Sequence, residues 1–176
     1  MVWVRSEYAG ELAVVSTWFA ALIPWNVLYG DAFGGSVLLV RFPLLEIQYA
    51  FGVPFTEATS VRDPVSAYRL QAGQPVADAY AAWLVGAALL AVALAVSAYY
   101  YREEERAESW PVDPVSVLGG LLVACGVVFA AASALLVGGV LGVDLGGGGL
   151  DGISIPVGVA FYLAFGAVLL RAEQVT

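Results

Sequence analysis

The sequence predicts an all-α membrane protein: a four-transmembrane-helix bundle with a small extracellular β-hairpin and a short helix between its first and second spans. Three observations carry that expectation. Of 176 residues, 61% are hydrophobic and the mean hydropathy is +0.84, where soluble domains hold about 45–50% apolar residues. Four stretches run without a charged residue, and about 20 such residues carry a helix across a bilayer. Between the first two of them, residues 36–51 alternate with the strand period of two.

The first span is placed at 12–29, LAVVSTWFAALIPWNVLY, with a kink at Pro24. Its leader MVWVRSEYAGE sets acids against a single Arg and no small-x-small site follows, so it reads as an uncleaved anchor and not as a signal peptide. The second span, 79–101, is entered past Pro75 and Asp78 and left through Tyr99, Tyr100, Tyr101 and Arg102, an aromatic and basic interfacial anchor. Asp113 as N-cap and Pro114 at the first helical position open the third, 115–143. The fourth, 155–170, ends on Arg171. The tetrad DPVS occurs at 63–66 and again at 113–116, and is read as one cap-plus-proline helix start used twice.

The stretch SVLLVRFPLLEIQYAFG, 36–52, is apolar enough to suggest a fifth span but holds Arg41, Pro43 and Glu46 in its middle. Each charge at the bilayer centre would cost about 2.5–3.5 kcal/mol, and the proline would break the helix. The alternation favours two strands, about 36–42 and 45–51, within an outer loop of 30–76. Folding them about Pro43 and Leu44 pairs Arg41 with Glu46, Val40 with Ile47 and Leu38 with Tyr49. That register puts an ion pair on one face and Leu45, Ile47, Tyr49 and Phe51 on the other, and the apolar face is expected to pack on the helices or on a partner. Arg41, Glu46, Leu45, Ile47, Tyr49 and Phe51 are therefore the candidate interaction residues. A short helix, 64–72, follows, with Asp63 as N-cap and Gly73 as C-cap.

Charge sets the orientation and narrows the function. All seven basic residues are Arg, against fifteen acids and no His; nucleic-acid binding, which needs clustered cations, is excluded. A net charge of −8 suits a protein that stays soluble in concentrated salt. Arg5, Arg102, Arg106 and Arg171 flank one side of the spans, which places both termini and REEERAES in the cytoplasm of a multi-pass cell-membrane protein.

The spans hold no ionisable residue that a membrane enzyme or proton-coupled carrier would use, and Cys125 is a lone cysteine in an apolar run. Glu11 and Asp78 read as helix-end charges, and GGGG at 146–149 lacks the Lys and Ser/Thr of a phosphate loop. No catalytic site, cofactor or metal is expected. Small residues recur every fourth position at Gly126, Ala130, Ala134, Gly138 and Gly142, and at Ala87, Ala91 and Ala95, marking candidate helix-packing faces.

The layout, with strands and a short helix in the first outer loop, resembles the claudin-like four-helix membrane proteins, and ALIPW at 21–25 is similar to the Ala-Leu-Pro-x-Trp with which claudins leave the membrane. The claudin Trp-x-x-Gly-Leu-Trp motif and paired loop cysteines are absent. MVWVRSEYAGELAVVSTW, VRFPLLEIQYAFGVP and IPVGVAFYLAFGAVLLR also look like an uncharacterised haloarchaeal four-span membrane protein family, which implies a halophilic archaeon and brings no site residues. The expected function is non-catalytic protein–protein interaction, as an adhesion or assembly element or an accessory subunit. The expected partners are the lipid bilayer and other membrane proteins or a second copy. A small oligomeric channel or carrier, lined by Asn26, Ser97 or the glycine stripe, is the alternative.

Overall fold

In the computed structural model, which describes residues 8–32, 34–53, 57–137 and 151–172, a sheet meets a layer of helices. Helix α1 (Ala9–Leu22) stops where Pro24 pushes the residue before it, Ile23, into extended backbone at φ −87° and ψ 124°. Strands β1 (Asn26–Ala32), β2 (Gly35–Arg41), β3 (Glu46–Phe51) and β4 (Thr59–Arg62) follow as a meander. Then come α2 (Pro64–Gln71), α3 (Ala77–Arg102), α4 (Glu104–Glu108), α5 (Pro114–Val137), β5 (Asp151–Ile155) and α6 (Val159–Leu170). β5 returns to pair with β1, so the order is β4-β3-β2-β1-β5 and every pairing is antiparallel.

The all-α, four-span bundle is thereby overturned. Among the described residues the sheet has five strands in place of the expected two, and only α3 and α5 are long and apolar enough to cross a membrane. The stretch expected as the first span divides at Pro24, and its last residues, Asn26 to Tyr29, belong to β1. The stretch expected as the fourth divides at Pro156, with Ile155 ending β5. With 14 and 12 residues, α1 and α6 rise about 21 and 18 Å, short of the roughly 30 Å hydrocarbon core. Hydropathy counts missing charges, and a run of Val, Leu, Ile, Trp and Tyr lacks charges whether it is coiled or extended. Of the expected third span, residues 138–143 lie outside the described residues.

Both DPVS copies start helices. Asp113 accepts from the N–H groups of Val115 and Ser116 at 3.1 and 3.0 Å, and Asp63 accepts from those of Val65 and Ser66 at 2.9 and 3.0 Å. The Ser66 hydroxyl and N–H, then the Val65 N–H, hold the Asp63 carboxyl below its ordinary value of 3.8. Because that value is depressed in the folded chain, the cap's contribution is present at neutral pH and is lost as pH falls through and below 3.8. Acid titration should fray α2 first, while Asp63→Asn, which still accepts the N–H bonds, should remove that pH dependence; amide hydrogen exchange across Pro64–Gln71 reads both.

Three crossings between the layers, at 22–26, 62–64 and 155–159, leave one end of the sheet, and the β2–β3 turn at 42–45 lies at that end too. The sheet therefore meets the helices by this foot. There the Trp83 Nε1–H donates to the Pro43 carbonyl at 2.9 Å. At the far end of the helices Gly10 lies against the Tyr100 ring, so α1 begins where α3 ends.

The helical core follows a 3.5-residue rhythm. On α5 the buried set is Val115, Leu118, Leu122, Cys125, Phe129, Ala132 and Leu136, and α6 approaches closely because Gly119, Gly126 and Gly166 leave no Cβ in the contact. Trp25 stacks on Phe129 at 5.3 Å, and Tyr162 meets the same ring edge-on at 5.2 Å. The outer faces are apolar as well: Val15, Trp18, Phe19 and Leu22 on α1, Val85 and Val92 on α3, Val127 on α5, and Phe161 and Val168 on α6 are exposed.

The β2–β3 register is Arg41↔Glu46, Val40↔Ile47 and Leu38↔Tyr49, as the sequence predicts, with the Phe42 N–H donating to the Leu45 carbonyl at 2.8 Å. Which face is covered is the reverse of the expectation. Val37, Leu39, Arg41 and Glu46 point inward and are buried, whereas Leu45 and Phe51 are exposed and Ile47 and Tyr49 half-buried.

Candidate functional site, the buried polar foot of the sheet

Arg41 closes β2 and Glu46 opens β3, so the tight turn between them sets the two side chains opposite each other. Asn26, first in β1, pairs with Arg41 from the other side, and Tyr80 reaches in from the first turn of α3. Arg41 is 2% exposed and Glu46 3%. The guanidinium spends all three nitrogens: Nε donates to Glu46 Oε2 at 2.8 Å, Nη1 to Asn26 Oδ1 at 2.9 Å and Nη2 to the Tyr80 hydroxyl at 3.0 Å. That hydroxyl in turn donates to Glu46 Oε2 at 2.9 Å.

Two further bonds extend the group to the sheet edges. Asn26 Nδ2 donates to Ser154 Oγ of β5 at 2.8 Å. Arg62 of β4 lies 3.7 Å from Glu46 Oε1 and donates to Gln48 Oε1 at 2.8 Å. One network thus joins all five strands to α3. Burial works against the charge on Arg41, but Tyr80 and Glu46 outweigh it and hold the guanidinium above its usual value. The space bounded by Trp25, Arg41, Ala79, Tyr80, Trp83 and Leu136 is too small for a water molecule. A network of this kind, with every guanidinium nitrogen partnered, orients one layer on another.

The family described as "Family of unknown function (DUF7549)" matches residues 2–174. The chain belongs to DUF7549. No curated protein matches it.

Of the predicted interaction residues, the DUF7549 fold brings Arg41 and Glu46 together in the buried network and leaves Leu45, Ile47, Tyr49 and Phe51 on the opposite side of the hairpin. Of the small residues, Gly126 is buried against Leu163 and Tyr162 and Ala87 is buried. Ala130 is half-buried, Ala134, Ala91 and Ala95 are exposed, and Gly138 and Gly142 lie outside the described residues. A strict four-residue spacing drifts about 40° per step around a helix, so such a stripe leaves any one face within a few turns. Past Ala87, the buried positions of α3 are Leu90, Ala93, Ser97 and Tyr100, which step by three and four in alternation. Asn26 is held in the network and Ser97 donates to its own helix at the Leu94 carbonyl.

Tyr80 and Ser154 are the members that sequence reasoning missed. Tyr80 carried a usable signal: it is a polar-tipped ring one turn inside a helix whose charged start faces the loop that holds Arg41 and Glu46. Ser154 carried none, since its partner lies 128 residues away.

Proposed function

We propose that this chain is a non-catalytic membrane protein that works through protein–protein contact, as an assembly or adhesion element or an accessory subunit, and that it does so with the outer face of its sheet. The observation behind this is an uncovered apolar surface. Across the strands, Ile155, Val27, Val40, Ile47 and Val61 form one row and Ile153, Tyr29, Leu38 and Tyr49 a second. Ile153 is 68% exposed and Val61 64%. A contiguous apolar patch of this extent marks an interaction surface, and the buried foot gives it a fixed seat.

In this reading α3 and α5 cross the cell membrane, with the sheet outside and α4 in the cytoplasm. Only 33% and 44% of their apolar windows are buried, so most of each helix shows hydrocarbon to its surroundings, which a bilayer favours and water does not. Arg102, Arg106 and Arg171 at the helix ends away from the sheet support the orientation. A halophilic archaeal source is supported by the charge of −8.

The test is Ile47→Glu combined with Ile153→Glu, compared with wild type by cross-linking in native membranes at high salt and by mass spectrometry of the recovered complexes. Loss of stoichiometric partners, or of self-assembly, with unfolding temperature unchanged is the expected result. Retention of every cross-link would refute the reading.

A further inference from the structure

A groove of about 630 Å³ runs along the outside of α1 to the end of α3, lined by Val14, Trp18, Phe19, Leu22, Tyr101 and Arg102. All but the last are apolar or aromatic. Gly10 against Tyr100 fixes the register of the two helices, so Arg102 stands at the level where α1 begins. From Val14 to Leu22 the groove then climbs about 12 Å at the helical rise, with Trp18 and Phe19 exposed along it. Arg102 has no ion pair among the described residues, although its neighbour Arg106 pairs with Glu103 at 3.3 Å.

We propose that this groove binds a diacyl phospholipid with an anionic headgroup, its phosphate on the Arg102 guanidinium and an acyl chain along Trp18, Phe19 and Leu22. The inference rests on the membrane reading above. One cation at one end of a hydrocarbon surface is complementary to an amphiphile carrying one anion at one end. A helix docking there would have to set an acid against Arg102 at the level of the membrane boundary. A phosphate headgroup resides at that level without further cost.

The test uses the full chain in vesicles of mixed phosphatidylglycerol and phosphatidylcholine in which one lipid at a time carries brominated acyl chains, which quench nearby tryptophan. Subtracting the signal of Trp18→Phe isolates Trp18. Brominated phosphatidylglycerol should quench Trp18 about fivefold more effectively than brominated phosphatidylcholine, the preference one basic side chain gives at an anionic lipid surface. Arg102→Gln should remove that preference, Arg102→Lys should keep it, and Ala98→Phe, at a position of α3 that also lines the groove, should fill it and lower quenching by both lipids. Equal quenching in the wild type, or a preference that survives Arg102→Gln, overturns the proposal. So does a Trp18 that neither lipid quenches while the other tryptophans respond, which would mean that protein, such as a second copy, covers the groove. If no tryptophan is quenched and the chain stays in the aqueous phase, the membrane reading itself fails.

Discussion

Arg41→Met is expected to destabilise the protein by about 3–5 kcal/mol, the cost of removing one partner of a buried ion pair. The substitution keeps much of the side-chain volume but leaves Glu46 charged at 3% exposure, with Tyr80 and the more distant Arg62 as its remaining donors. It also orphans the Asn26 carbonyl oxygen that Nη1 held. Glu46→Gln should cost a similar amount from the other side, because its amide preserves shape while Arg41 stays ionised without a counter-charge. Since each single change leaves a buried charge unpaired and the double change leaves none, Arg41→Met with Glu46→Gln should cost clearly less than the two single changes summed. Unfolding in mild detergent, followed by tryptophan fluorescence, reads this directly because Trp25 and Trp83 border the network. Single variants within about 1 kcal/mol of wild type would mean that the foot of the sheet is not where the layers are held.

Gly166→Leu should cost about 3 kcal/mol and part α5 from α6. A Cβ at Gly166 would stand 2.6 Å from Val123 Cγ2, 2.7 Å from the Gly119 carbonyl oxygen and 2.8 Å from the Val123 nitrogen. Two of those three atoms are backbone, so a rotamer change cannot relieve the contact and the helices must separate. Gly120→Ala supplies the opposite case on the same helix pair: nothing lies within 4 Å of its added methyl, and the gain in helix propensity should stabilise by up to about 1 kcal/mol. The same unfolding measurement separates the two, and equal effects at both positions would remove the close approach as an explanation.

Local chemistry was legible where neighbours in sequence settle the outcome. Asp63 and Asp113 cap their helices because an Asp, a Pro and two N–H groups lie within one turn. The hairpin register follows from Arg41 and Glu46, which can satisfy each other only in one alignment. Long-range choices were not legible. The run from Leu12 to Tyr29 looks continuous to hydropathy, and its division into α1 and β1 becomes plain only when β2 and β5 are seen to pair with Asn26–Ala32.

The sequence by itself determined an apolar chain, the capped helix starts and the pairing of β2 with β3, since each depends on residues a few positions apart. Only the tertiary structure decided that β5 closes the sheet and that the ion pair faces the helices while the apolar rows face out. Alternation states which side chains share a face. Which face is covered depends on a partner elsewhere in the chain, here Tyr80, whose hydroxyl can satisfy Arg41 and Glu46 where a purely apolar helix could not.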